Sequence, residues 1–125
     1  MSKLAIGLVQ QRCGEDREEN IEKSVAGIKK AAREGAELIV LPELHLGPYF
    51  CQVENVRLFD MAEPIPGPAT DLFGALAREL GVVIVTSIFE RRAVGLYHNT
   101  AVVVERNGSI AGTYRKMHIP DDPGF

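Results

Sequence analysis

Cysteine is scarce. The chain has two, Cys13 and Cys51, in 125 residues. They form no CxxC or other metal-ligand spacing, so they encode neither a zinc knuckle nor a dithiol redox motif. An export signal is also lacking. Met1-Ser2-Lys3-Leu4 leads straight into a strand-like run, without the basic, apolar, then small-residue order of a leader. The thiols therefore read as reduced, in a cytoplasmic protein. Long apolar runs are absent, which argues against a membrane span. An excess of positive charge is absent too: 14 Lys and Arg against 17 Asp and Glu give a net charge of −3. That balance recommends no nucleic-acid or anionic-membrane partner. The three histidines, His45, His98 and His118, are too scattered to suggest a metal site. No repeat, low-complexity tract or linker divides the chain, so residues 1–125 read as one domain. At 46% hydrophobic and 25% charged residues, it has the balance of a globular protein with a real core.

What is present is organised around Glu37-Leu38-Ile39-Val40-Leu41-Pro42-Glu43. Four apolar residues predict a short buried strand, and Pro42 ends it because proline has no N–H for a ladder. Glu43 follows where a buried strand runs out, the position at which open α/β sheets carry their chemistry. Desolvation there is expected to raise its pKa towards the range of a general base. From local sequence alone, a solvated residue or half of an ion pair is the more common reading of such a glutamate.

The strand Leu4–Val9 comes first and is expected to be central and buried on both faces. Asp16 and Glu19 have capping-box spacing before a helix over Arg17–Glu34, with Ile21, Val25, Ile28 and Ala32 on one face and Gly35 as its stop. Strand, helix, strand makes a βαβ unit with parallel strands. The connection from Leu44 to Gly67 has little periodicity. Tyr49, Phe50 and Cys51 within it read as a wall of a pocket beside Glu43, or equally as a satellite core under a long loop. A second helix starts at Pro68 and buries Leu72, Phe73, Leu76, Ala77 and Leu80. Val82–Phe89 is the strongest strand, Glu90-Arg91-Arg92 a solvated turn, and Leu96–Glu105 and Ser109–Arg115 a hairpin around Asn107-Gly108 with a type I′ turn. The order predicts a mixed sheet with helices on at least one face. Lys116, like Glu43, lies just past a strand end; alone it reads more readily as a surface lysine.

These stretches together resemble the nitrilase superfamily of carbon–nitrogen hydrolases, over the whole 125 residues, as the N-terminal portion of a longer chain. The carrying motifs are Leu41-Pro42-Glu43, the strand Val83–Phe89, Asn99-Thr100-Ala101 with Asn107-Gly108, and Tyr114-Arg115-Lys116-Met117-His118. Gly47-Pro48-Tyr49-Phe50-Cys51-Gln52 and the run from His118 to Phe125 are similar to the N-carbamoylputrescine amidohydrolase branch. The resemblance implies the N-terminal half of a mixed-sheet αββα sandwich and a Glu–Lys–Cys triad. Glu43 matches the general base and Lys116 the lysine that stabilises the oxyanion. The nucleophilic cysteine of the family follows a later strand, and neither Cys13 nor Cys51 stands in for it. Cys51 and Tyr49 are expected to line the pocket, and His118 to hydrogen-bond behind Lys116.

The implied substrate is a small-molecule amide or carbamoyl-amine, with no metal or organic cofactor and a homo-oligomeric assembly. With two of the three triad members, residues 1–125 alone are expected to be inactive. They are also expected to leave the inner face of their sheet uncovered. A non-catalytic binding module that kept half the sandwich, and an unrelated ligand-binding α/β domain, are the competing readings. The hydrolase reading requires the side chains of Glu43 and Lys116 to meet. A separation beyond about 10 Å, outside any shared hydrogen-bond network, would reject it.

Overall fold

The computed structural model of the protein describes residues 2–50 and 55–119. In chain order the elements are β1 (Ile6–Leu8), α1 (Arg17–Arg33), β2 (Leu38–Val40), a 3₁₀ helix (Val56–Met61), α2 (Pro68–Leu80), β3 (Val83–Ala93), β4 (Leu96–Val104) and β5 (Ile110–Arg115). The strands form a five-stranded sheet in the order β1-β2-β3-β4-β5. β1, β2 and β3 are parallel, and β3, β4 and β5 antiparallel, so the predicted mixed sheet and βαβ unit are present.

Strand alternation sorts the sheet into two faces. Ile39, Ile84, Ile88, Val102 and Val104 point to one face and are buried against Ile28 of α1 and Phe73, Leu76 and Ala77 of α2. Ile6, Leu8, Val85, Ser87, Asn99, Ala101 and Tyr114 share the other, by the register of the five strands. Neither α1 nor α2 covers that face, and the 3₁₀ helix reaches it only through Phe59, against Phe89 and Tyr97; Leu8 is 76% and Tyr114 65% exposed. Among the described residues the fold has two layers with one side open.

Four local expectations need correction. Among the described residues β1 is an edge strand, paired on one side by β2, with its open-face side chains exposed, not a central strand buried on both faces. Its apolar run reflects the uncovered face rather than double burial. Leu72 is 37% exposed; the buried stripe of α2 instead includes Ala69, Thr70 and Gly74, because the helix lays its small residues against the sheet and hairpin. Glu90-Arg91-Arg92 is not a solvated turn. It continues β3, and Glu90 is buried; the reversal comes at Val94-Gly95. The β4–β5 turn is not type I′, which needs positive φ at both central residues. Asn107 has none, whereas Gly108 has φ +88°. The N–H of Gly108 donates to the Glu105 carbonyl at 2.9 Å and that of Glu105 to Ser109 at 2.8 Å, the pattern of a type I turn closed by a glycine bulge.

Elsewhere the local chemistry acts as read. Asp16 accepts from the N–H of Glu19 at 3.2 Å and caps α1. Gly35 (φ +96°) and Gly81 (φ +67°) turn the chain out of the two helices in a left-handed conformation. Past the end of β2, Glu63 pairs with the Phe89–Arg91 stretch of β3 and takes the place that β2 has vacated.

Candidate active site

β2 delivers Glu43. Leu41 still bonds to the sheet, its N–H donating to Val85 at 3.0 Å, and Pro42 then breaks the ladder. The next turn is forced. Leu44 is buried and adopts φ +50°, an unfavourable region for a branched apolar residue. Its N–H donates to Ser87 Oγ at 3.0 Å. The next residue, His45, is fully buried on the helix side. Its ring bridges Ser24 Oγ of α1 (2.7 Å) and Thr86 Oγ1 of β3 (2.6 Å). The segment after Glu43 is thus anchored to both layers, and the carboxylate itself stays on the open face.

β5 delivers Lys116 to the same place. Arg115 and Lys116 alternate faces. Arg115 grips buried Glu90 with two hydrogen bonds, 2.7 Å and 2.9 Å, and Thr100 adds a third at 2.8 Å. Lys116 turns the other way, and its main-chain N–H donates to the Asn99 carbonyl at 2.9 Å. Its Nζ donates to Glu43 Oε1 at 3.0 Å and sits 5.8 Å from the centre of the Tyr49 ring. Glu43 and Lys116 therefore meet, well within the separation that the hydrolase reading requires. Asn99 Nδ2 donates to the same Oε1 at 2.6 Å. The pair lies in an open cleft of about 300 Å³ on the uncovered face, with Val85, Ser87, Ala101 and Tyr114 around it.

The electrostatics reverse one expectation. Burial is the largest single influence on Glu43 and raises its pKa. The hydrogen bond from Lys116, that from Asn99, and the charge of Lys116 together outweigh it, and the carboxyl is held below the ordinary range. Lys116 is raised in turn, chiefly by its hydrogen bond to Glu43, so it remains an ammonium. Glu43 is an ionised carboxylate at neutral pH, paired with a fixed cation.

The other candidates fall unevenly. Tyr49 flanks Lys116, while its neighbour Phe50 stacks on Phe89 at 3.9 Å within a cluster completed by Phe59 and Tyr97. Phe50 thus belongs to a satellite aromatic cluster under the long connection. His118 is exposed and hydrogen-bonds no described residue, so the expected contact behind Lys116 is not made. Cys51 lies outside the described residues. Cys13 accepts a long contact from Gln11, whose side chain belongs to the Ser24 network on the helix side, away from Glu43. Among the described residues, no group of three or more His, Cys, Asp or Glu could hold a metal ion. Nor is any of their helices long and apolar enough to cross a membrane. Asn99, Ser87 and Glu90 are the site residues that sequence reasoning passed over.

Known proteins share this arrangement of elements. The chain is 38% identical over 125 residues to N-carbamoylputrescine amidase of Oryza sativa, covering 99% of this chain and 41% of that enzyme. It is 36% identical over 126 residues to citrullinase of Francisella tularensis, covering 44% of it. A crystal structure of a carbon-nitrogen hydrolase from Helicobacter pylori superposes with a TM-score of 0.90 at 45% identity, over 98% of this chain and 42% of that one. The chain spans about two fifths of the length of these relatives. Its sheet and helices are the N-terminal portion of the α/β sandwich of that fold. Residues 5–125 match the carbon-nitrogen hydrolase family, and the chain belongs to it, within the nitrilase superfamily.

Proposed function

We propose that this chain supplies the general base and the oxyanion-stabilising lysine of a cysteine-dependent carbon–nitrogen hydrolase acting on carbamoyl-amines, with N-carbamoylputrescine as its substrate. The observation that carries the reading is the double hydrogen bond to Glu43 Oε1 from Lys116 and Asn99, in an open cleft at the strand ends. Glu43 takes the proton of a thiol supplied from outside residues 1–125, and the sulfur attacks the terminal carbamoyl carbon. Lys116 offsets the charge that develops on the carbonyl oxygen, an effect worth about 3 kcal/mol in comparable sites. The C–NH₂ bond breaks and ammonia leaves with the transferred proton. Glu43 then activates water, which cleaves the thioester. The carbamic acid released falls apart to carbon dioxide and putrescine. No step calls for a metal or organic cofactor.

The names of two relatives support a ureido substrate. N-carbamoylputrescine and citrulline both end in NH–CO–NH₂ and differ at the far end, where citrulline carries an amino acid group. Ammonia release from both compounds, measured with the full-length protein and its Glu43→Gln variant, tests the reading. Glu43→Gln is expected to lower kcat by about a thousandfold or more. Hydrolysis of N-carbamoylputrescine is expected to exceed that of citrulline. A variant as active as the parent would remove Glu43 from the role of base, and a parent inert towards every ureido compound and simple amide would leave the non-catalytic binding module as the better description.

A further inference from the structure

Both hydrogen bonds to Glu43 fall on one carboxylate oxygen. Oε1 accepts from Lys116 Nζ at 3.0 Å and from Asn99 Nδ2 at 2.6 Å, and Oε2 takes part in neither bond. Asn99 is buried, 4% exposed, and reaches three neighbours at once. Its amide N–H holds Glu43, its amide oxygen accepts from Ser87 Oγ at 3.3 Å, and its main-chain carbonyl accepts the N–H of Lys116 at 2.9 Å. Ser87 in turn accepts from the N–H of Leu44, the residue after Glu43. The bonds close a ring: Glu43, Asn99, Ser87, Leu44 and back to Glu43.

The ring has a fixed polarity. A main-chain N–H can only donate, so Ser87 Oγ must accept from Leu44 and point its own hydrogen elsewhere. The group in reach is the oxygen of Asn99. With that oxygen occupied, the NH₂ end of the amide faces Glu43. A flipped amide would set an oxygen against a carboxylate and leave Ser87 without an acceptor, two losses in a part-buried site. The strained Leu44 is therefore part of the machinery that orients Asn99.

We propose that Asn99 is the positioning residue of this site: its side chain pins Oε1 of Glu43 and its carbonyl pins Lys116, so that Oε2 is the oxygen that receives the thiol proton. This rests on the reading of Glu43 as the general base. In that step the S–H bond breaks, the electron pair stays on sulfur, and an O–H bond forms at Oε2. Oε1 keeps its two donors throughout and needs no rearrangement. The Asn99 bond also favours the ionised carboxylate, so its removal has a signature that a merely structural residue would lack.

The test is the pH dependence of ammonia release from N-carbamoylputrescine by the full-length protein and its Asn99→Ala, Asn99→Asp, Ser87→Ala and Glu43→Gln variants. Asn99→Ala keeps the main-chain bond to Lys116 and loses only the amide. It is expected to lower kcat about tenfold or more, with KM nearly unchanged, and to move the acid limb of kcat/KM to higher pH. Asn99→Asp, which puts a second carboxylate against the first, moves the limb further in the same direction. Ser87→Ala frees the amide to flip and gives a smaller shift of the same sign; it carries the test if Asn99→Ala fails to fold. Wild-type kcat, or a lowered kcat with an unmoved acid limb, in Asn99→Ala and Ser87→Ala would overturn the proposal. If Glu43→Gln is inactive while those variants behave as the parent, only the role of Asn99 fails. If Glu43→Gln is itself fully active, the general-base reading fails with it.

Discussion

Lys116 and Glu43 stand 73 positions apart in the chain and share a 3.0 Å hydrogen bond. The sheet brings them together: β2 and β5 end on the same side of the open face, with β3 and β4 between them. The lysine accounts for two of the three influences that lower the pKa of Glu43, and burial opposes them. Lys116→Met therefore leaves desolvation opposed by Asn99 alone, and the carboxyl pKa rises. A group with a lowered folded pKa adds stability above its ordinary value and loses it as pH falls through the folded one. For Glu43, half exposed, that effect on stability is small. The informative readout is catalytic: the acid limb of kcat/KM moves up and kcat falls about a hundredfold. An unshifted limb in Lys116→Met would show that the pair does not set the charge state of the base.

How far the sequence reveals this site depends on whether a residue's partner is local. Glu43 and Lys116 stand out because each follows a strand end, and proline marks one of those ends. Asn99 does not: a polar residue inside a strand pattern has no local cue to its cross-sheet partner. Glu90-Arg91-Arg92 misleads for a related reason. Three charges in a row read as solvated, yet Glu90 is 2% exposed because Arg115, from a strand end 25 positions away, satisfies it. The pKa of Glu43 fails in the same way. Desolvation is legible from an apolar strand end, but the donors that outweigh it come from β4 and the end of β5. Helix limits, by contrast, rest on caps and glycines within a few residues, and these were readable.

His45 makes pH a probe of the packing behind the site. Its ring is fully buried between Ser24 and Thr86, and burial first, then the charge of Arg17, lowers its pKa to about 4. The unfolded chain titrates near 6.5, so the stability held by the neutral ring is complete above about 6.5 and is lost as pH falls towards about 4. The loss is on the order of 3 kcal/mol. Urea unfolding at pH 7 and pH 4.5, with His45→Gln as reference, checks it. The parent is expected to lose more stability on acidification than the variant. Equal losses would mean that water reaches the ring.

Gly74 lies inside α2, where alanine would ordinarily gain about 1 kcal/mol. Here a Cβ would stand 2.6 Å from the Gly108 carbonyl oxygen, at the tip of the β4–β5 hairpin. The obstacle is backbone on both sides, since a Cβ on Gly108 would meet the Gly74 oxygen at 2.8 Å. Relief requires α2 or the hairpin to move, and such overpacking costs about 1–3 kcal/mol. Gly74→Ala is thus expected to be destabilising despite the better helix former. A urea midpoint equal to or above that of the parent would show that the hairpin tip gives way freely.

The open face sets the behaviour of residues 1–125 in isolation. Leu8 and Tyr114 are 76% and 65% exposed, Ile6 is 55% exposed, and they lie on one side of the sheet with the cleft between them. Burying a large apolar side chain recovers about 1.5–3 kcal/mol, so several on one surface favour association over a solvated monomer. The isolated 13.7 kDa chain is expected to sediment as a larger, concentration-dependent species. Leu8→Glu together with Tyr114→Lys should shift it towards monomer, because each places a charge on the face that associates. Both side chains are already largely in solvent, so neither substitution should disturb the helix-side core, and the melting transition should be retained. A parent chain that stays monomeric at high concentration would show that this face is stable in water. Association unchanged by the charges would place the contact at the edges of β1 or β5 instead.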